Sequence, residues 1–104
     1  MTSEQAVRAT ILVSMHDRVG RHSLVVELVA RARRAKLAGA TVFEAREGFG
    51  ESGRIHRVHA LSDNAPVSIV IIDAREPVEA FLLGASDLLE GALVVVDDVT
   101  IVRL

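Results

Sequence analysis

The stretch PVSIVIID, residues 66 to 73, limits the fold more than any other part of the chain. It is a nearly continuous apolar run, opened by a proline and closed by an aspartate, and it reads as a strand buried on a sheet. A second strand is predicted at residues 8 to 15, RATILVSM, which is short, rich in β-branched residues and followed by the polar loop HDRVGRH. The next segment, SLVVELVARARRAKLAG, sets Leu24, Val25, Leu28, Val29 and Ala32 at helical spacing. Arg31, Arg33, Arg34 and Lys36 fall in its last two turns, where cations suit the helix dipole, and Gly39 is the expected stop.

Residues 40 to 47, ATVFEARE, give another strand that ends in a glycine-rich loop. After PVSIVIID, the segment REPVEAFLLGASDLLEG spaces Val78, Phe81, Leu82, Ala85 and Leu89 helically, with Pro77 in the first turn. Gly84 in mid-helix would cost about 1 kcal/mol against alanine. The chain closes with ALVVVDDVTIVRL, a strand expected to be interrupted at Asp97-Asp98. The order is β-α-β, loop, β-α-β. This is the α+β, ferredoxin-like βαββαβ arrangement, an antiparallel sheet with two helices on one face. The strands carry more apolar residues than two helices can cover, so the second face is expected to be buried by further copies of the chain.

Composition narrows the function. The 104 residues suit one domain, 1 to 104, with half of them apolar and a quarter charged. A net charge of -2 and a pI near 6.0 lack the basic face that nucleic acid requires. The chain has no cysteine, which removes disulfides, thiolate metal sites and cysteine nucleophiles. The start of the chain shows no secretory leader, and the apolar runs are shorter than the roughly 20 residues of a spanning helix. A cytoplasmic protein without membrane insertion is expected.

The segment EGFGESGRIH, residues 47 to 56, spells G-x-G-x-x-G at Gly48, Gly50 and Gly53. A dinucleotide turn needs those glycines to lead into a helix whose N-terminus holds the pyrophosphate. The following RIHRVHALSDNAP offers no sustained helical run, so that reading fails. His56 and His59 would form a metal pair only on a helix. The remaining histidines, His16 and His22, lie in the loop after the first strand, and a third ligand would have to be a carboxylate such as Asp63. No metal site is therefore expected. Ser52, Ser62, His56 and Asp63 supply the residue types of nucleophilic catalysis without a recognised local context. Asp97 and Asp98, adjacent on a strand, would point to opposite faces rather than act together. A catalyst is not expected.

Several segments together resemble a known family. They are Gly39-Ala40-Thr41-Val42, then Gly48-Phe49-Gly50 with Ile55-His56 at fixed distance, then Pro66 opening a strand and Asp73 closing it. In this order they resemble the PII-like domain of unknown function 190 family, from about Asp17 to the end of the chain. The resemblance implies the fold of PII signalling proteins, a homotrimer with its sheets packed inside, and nucleotides held in the clefts between subunits. It also implies that residues 47 to 65 correspond to the partner-binding loop of PII proteins, with EGFGESGRIH as a shortened version. Gly48, Phe49, Gly50, Arg54, His56 and Arg103 become the candidate ligand residues, and an adenine nucleotide the candidate ligand.

The physical case for these residues is direct. The glycines permit close backbone approach around an anion. Arg54 offers a bidentate fork, and His56 a titratable donor. Phe49 suits a packing anchor better than a stacking platform. PII proteins also carry a Gly-Lys before the last strand and an Arg-x-Arg near its end. Here those places read Gly91-Ala92 and Ile101-Val102-Arg103, so the lysine and one arginine are missing, and a smaller anion or no ligand stays open. Family members are often encoded beside a fluoride channel, which implies a membrane transporter or channel as partner. A regulatory sensor is the expected function. The alternatives are a trimeric metal-binding protein of the cation-tolerance type and a small enzyme.

Overall fold

Strand β1 (Thr2–Ser14) opens the chain and becomes an interior strand of the sheet. A small hairpin of β2 (Arg18–Val19) and β3 (His22–Ser23) follows, then helix α1 (Leu24–Arg34) and strand β4 (Thr41–Glu44). Next come β5 (Glu47–Phe49), β6 (Ile55–Arg57), β7 (Pro66–Asp73), helix α2 (Arg75–Gly84) and β8 (Leu93–Arg103). The coordinates are a computed structural model that describes residues 1–49, 55–57 and 66–104. The main sheet runs β4-β7-β1-β8 with every neighbour antiparallel, which is the ferredoxin-like order.

The period of two along each strand builds the core. Val7, Ala9 and Ile11 of β1 and Val67, Ile69 and Ile71 of β7 point to one side, each 1 % exposed or less. Onto them α1 sets Leu24, Val25, Leu28 and Ala32, and α2 with the residue after it sets Val78, Phe81 and Ala85. Burying an isoleucine or leucine here stabilises the fold by roughly 1.5–3 kcal/mol. Among the described residues, no polar or charged side chain enters this core.

Helix ends are set by individual residues. The Ser23 hydroxyl accepts the Val26 N–H at 3.3 Å and caps α1. At the other end the helix stops at Arg34, five residues before the glycine expected to stop it. Lys36 takes the left-handed conformation, φ 61°. Its N–H reaches the Arg33 carbonyl, and the Leu37 N–H reaches that of Ala32, which closes a Schellman motif. Leu37 packs on the core beside Ala32, and this apolar contact holds a lysine where glycine is the usual choice. In α2, Gly84 is the last helical residue, so the expected mid-helix penalty does not arise. Ala74 at the N-cap has no capping side chain of its own. The neighbouring Asp73 carboxylate accepts the Ala74 N–H at 2.8 Å with one oxygen and the Ala38 N–H at 2.9 Å with the other.

Strand β8 is continuous through Asp97-Asp98, against the expected interruption. Opposite β1, Asp97 faces Arg8 and Asp98 faces Val7. The two carboxylates therefore leave opposite sides of the sheet, Asp97 to Arg8 and Asp98 to Arg75 of α2. Each finds an arginine, and the ladder needs no break. Strand β1 also starts at Thr2 rather than residue 8, because the polar residues Thr2 to Gln5 pair with the end of β8.

The second side of the sheet carries Leu12, Phe43, Ile72, Leu93 and Val95, between 37 % and 55 % exposed. Both helices pack on the first side, so this broad apolar surface is bare in a single copy.

An ion network joins α1 to the connection after α2. Arg31 donates to Glu27 at 3.3 Å and to both oxygens of Asp87 at 3.1 and 3.4 Å, while Arg34 also donates to Glu27. Arg31 is the leading cause that holds both the Asp87 and the Glu27 carboxyls below their usual range. Folded carboxylates held low add stability at neutral pH, and that stability is lost as the pH falls through their lowered range. Thermal unfolding should therefore show an advantage of the native chain over Arg31→Ala at pH 7 that shrinks as the pH falls below the ordinary carboxylate range. The left-handed Lys36 gives a second test. Lys36→Gly should raise stability by about 1 kcal/mol, read as a Tm increase of roughly 4–8 °C.

Candidate functional site

The chain leaves the sheet after Glu44 and rejoins it at Pro66, both at one end. The Ala45 N–H donates to the Pro66 carbonyl at 2.8 Å, which fastens the two feet of this excursion to each other. Pro66 is registered against Ser14, Val67 against Glu44, and Leu93 against Leu12. The excursion, the turn after β1 and the start of β8 therefore share one end of the sheet.

Beyond the feet, β5 and β6 form an antiparallel ribbon that pairs Glu47 with Arg57, Gly48 with His56 and Phe49 with Ile55. Part of the predicted loop 47 to 65 is thus β-structure. Gly48, Phe49 and His56 are brought onto this ribbon, whereas Gly50, Arg54 and His59 lie outside the described residues. The glycine pattern does not open a helix here: the next described element, β6, is a strand, and this removes the dinucleotide-turn geometry. His56 stands on a strand, so the helical spacing on which a His56–His59 metal pair depended is not provided. No group of three or more His, Asp or Glu side chains gathers as a metal site among the described residues.

The same end holds side chains that the sequence marked only as loop. The Asp17 carboxylate accepts the Ser14 N–H at 2.9 Å, and its carbonyl accepts the Leu24 N–H at 3.0 Å. Gly20, at φ +59°, turns the β2–β3 hairpin where a side chain would be strained. His16, Arg18, Arg21 and His22 are all exposed on this turn, and the polar run HDRVGRH was their only trace in the sequence.

Arg103 is elsewhere. It pairs with Thr2 across the ladder and donates to Glu4 at 2.9 Å, at the opposite end of the sheet from the loop feet. β1 spans that separation from Thr2 to Ser14, about 40 Å at 3.3 Å per residue. One copy of the chain cannot bring Arg103 to the β5–β6 ribbon.

The bare side of the sheet has its own electrostatics. Arg8 donates to both oxygens of Asp97 at 3.1 and 2.7 Å, a bidentate pair that raises the Arg8 pKa. Asp98 is on the helix side, so paired acid–base chemistry between the two aspartates is not available. No described helix is long and apolar enough to cross a membrane.

Comparison with known proteins agrees with this architecture. The chain is 35 % identical over 79 residues, 74 % of each sequence, to the UPF0166 protein of Aquifex aeolicus (strain VF5). Its fold matches CPII, a nitrogen regulatory PII-like protein from Thiomonas intermedia K12 whose structure holds ADP, AMP and bicarbonate. The TM-score is 0.75 at 19 % identity, covering 98 % of this chain and 92 % of CPII. GlnK of B. subtilis matches at a TM-score of 0.56 and 13 % identity, covering 92 % and 86 %. The model of the DUF190 family, described as "Uncharacterized ACR", matches residues 6–101. With its PII-like sheet, its ribbon between β4 and β7 and this match along nearly its whole length, the chain belongs to the DUF190 family.

Proposed function

We propose that this protein is a PII-like regulatory module, not a catalyst, that works as a homotrimer and binds a small anionic ligand between subunits. The observation that carries this is the separation of the candidate residues. The β5–β6 ribbon and Arg103 stand at opposite ends of a strand about 40 Å long. A site that uses both needs a second copy to supply one of them. The bare apolar side of the sheet supports the same assembly, since copies that bury it there remove Phe43, Leu93 and Val95 from water.

The ligand class follows from the groups available. Gly48 and Gly50 allow the backbone to approach an anion, and Arg54 and Arg103 offer charge-assisted donors from the two sides of the cleft. Occupation of a similar fold by ADP, AMP and bicarbonate in CPII supports an adenine nucleotide. Gly91-Ala92 lacks the lysine of PII proteins, which favours a ligand with fewer phosphates than a triphosphate. Binding would rearrange what residues 47 to 65 present to a protein partner, such as a membrane transporter or channel.

Thermal unfolding against ADP, AMP and bicarbonate tests the proposal. A nucleotide at 100 times its Kd adds about 2.7 kcal/mol, which should raise Tm by roughly 10 °C. Arg103→Ala and Arg54→Ala should each abolish the shift. Refolding the two variants together should restore part of it, because mixed trimers contain clefts with an intact residue from each copy. A shift that survives Arg103→Ala, or variants that fail to complement, would mean that the site lies within one copy.

A further inference from the structure

Four charged residues stand on the bare side of the sheet among the described residues: Glu4, Arg8, Asp97 and Arg103. They form two closed pairs, Arg8 with Asp97 and Arg103 with Glu4. The face is therefore neutral in sum, with nothing to draw a nucleic acid, an acidic peptide or a charged membrane. Around Arg8–Asp97 the surface is apolar or weakly polar, with Ile72 opposite Arg8 on β7, Thr10 and Val95 on one side and Ala6 and Val99 on the other. The pair is half-exposed in one copy, 46 % for Arg8 and 41 % for Asp97, and there it is a water-screened surface contact of little consequence.

Strand lengths and spacing give the face a projected area on the order of 600 Å². That approaches the roughly 800 Å² per partner of a standard interface. A neighbouring copy of the same face meets these requirements: it is apolar and neutral. It also brings an opposite charge for each charge present. Arg8 uses only its Nε and one terminal nitrogen on Asp97, which leaves N–H donors for a neighbouring carboxylate, and Asp97 keeps unused lone pairs.

We infer that the Arg8–Asp97 pair is a registration device in the interface between copies, buried there and completed by the same pair of a neighbouring copy. The inference rests on the assembly proposed above and adds which residues select its geometry. An apolar face alone lets copies slide over one another. A desolvated ion pair does not, because any offset leaves a charge buried without a partner. Removing one partner should then be far worse than removing both, since two apolar replacements leave no charge to strand.

The test is a double-mutant cycle read as the dissociation constant of the assembly, by analytical ultracentrifugation across a dilution series. Circular dichroism on the diluted chains confirms that each variant is folded. Asp97→Leu and Arg8→Met should each weaken assembly at least a hundredfold, while the double variant should return to within about tenfold of the native chain and populate more than one oligomeric size. Singles that weaken assembly less than fivefold in a native chain that does assemble would overturn the inference and leave the assembly standing. Additive losses in the double variant would overturn it too. A native chain that stays monomeric at high micromolar concentration would instead remove the assembly itself, and the inference with it.

Discussion

Two helices can shield only one side of a four-stranded sheet, and most features of this protein follow from that limit. The alternation along β1 and β7 sends Val7, Ala9, Ile11, Val67, Ile69 and Ile71 to the shielded side. The same alternation obliges the intervening residues to the other side, where Leu12, Val70, Ile72 and Val95 stand. A period-two chain cannot hide both sets with the material it has. The bare side is thus a consequence of how the core is made rather than a separate addition, and it is the surface through which we propose that copies assemble.

Where sequence and structure agree, the signal is apolar periodicity. PVSIVIID is a strand over the same residues in both, and the helical spacing of Leu24, Val25, Leu28 and Ala32 is the buried face of α1. The misreadings share one cause, which is that polar residues were taken as punctuation. Thr2 to Gln5 are strand because β8 lies alongside them, and Asp97-Asp98 are strand because Arg8 and Arg75 wait on the two sides. Neither partner is close in sequence. Lys36, not Gly39, ends α1 because Leu37 finds the core one residue later, a tertiary contact that local propensity does not register.

Sequence supplied residue types for a candidate site but not their layout. Gly48, Phe49 and His56 do sit together on one ribbon, as their short separation in the chain suggests. Arg103 does not join them within one copy, and only the ladder register of β1 and β8 reveals how far away it is. The exposed cations of the β2–β3 turn share the loop end because β1 runs back to it, which no local pattern announces.

The same register shapes how the chain acquires its fold. β1 is made well before β8, yet the two pair along their length, Thr2 meeting Arg103. At 5–20 residues per second on a ribosome, the edge of β1 stays unpaired for on the order of 10 s while its partner is synthesised. Contacts so distant in sequence close slowly in free solution as well. A strand that waits this long with an open edge can be captured by another nascent chain. The polar side chains of Thr2-Ser3-Glu4-Gln5, unremarkable in the finished sheet, work against such capture along that part of the edge.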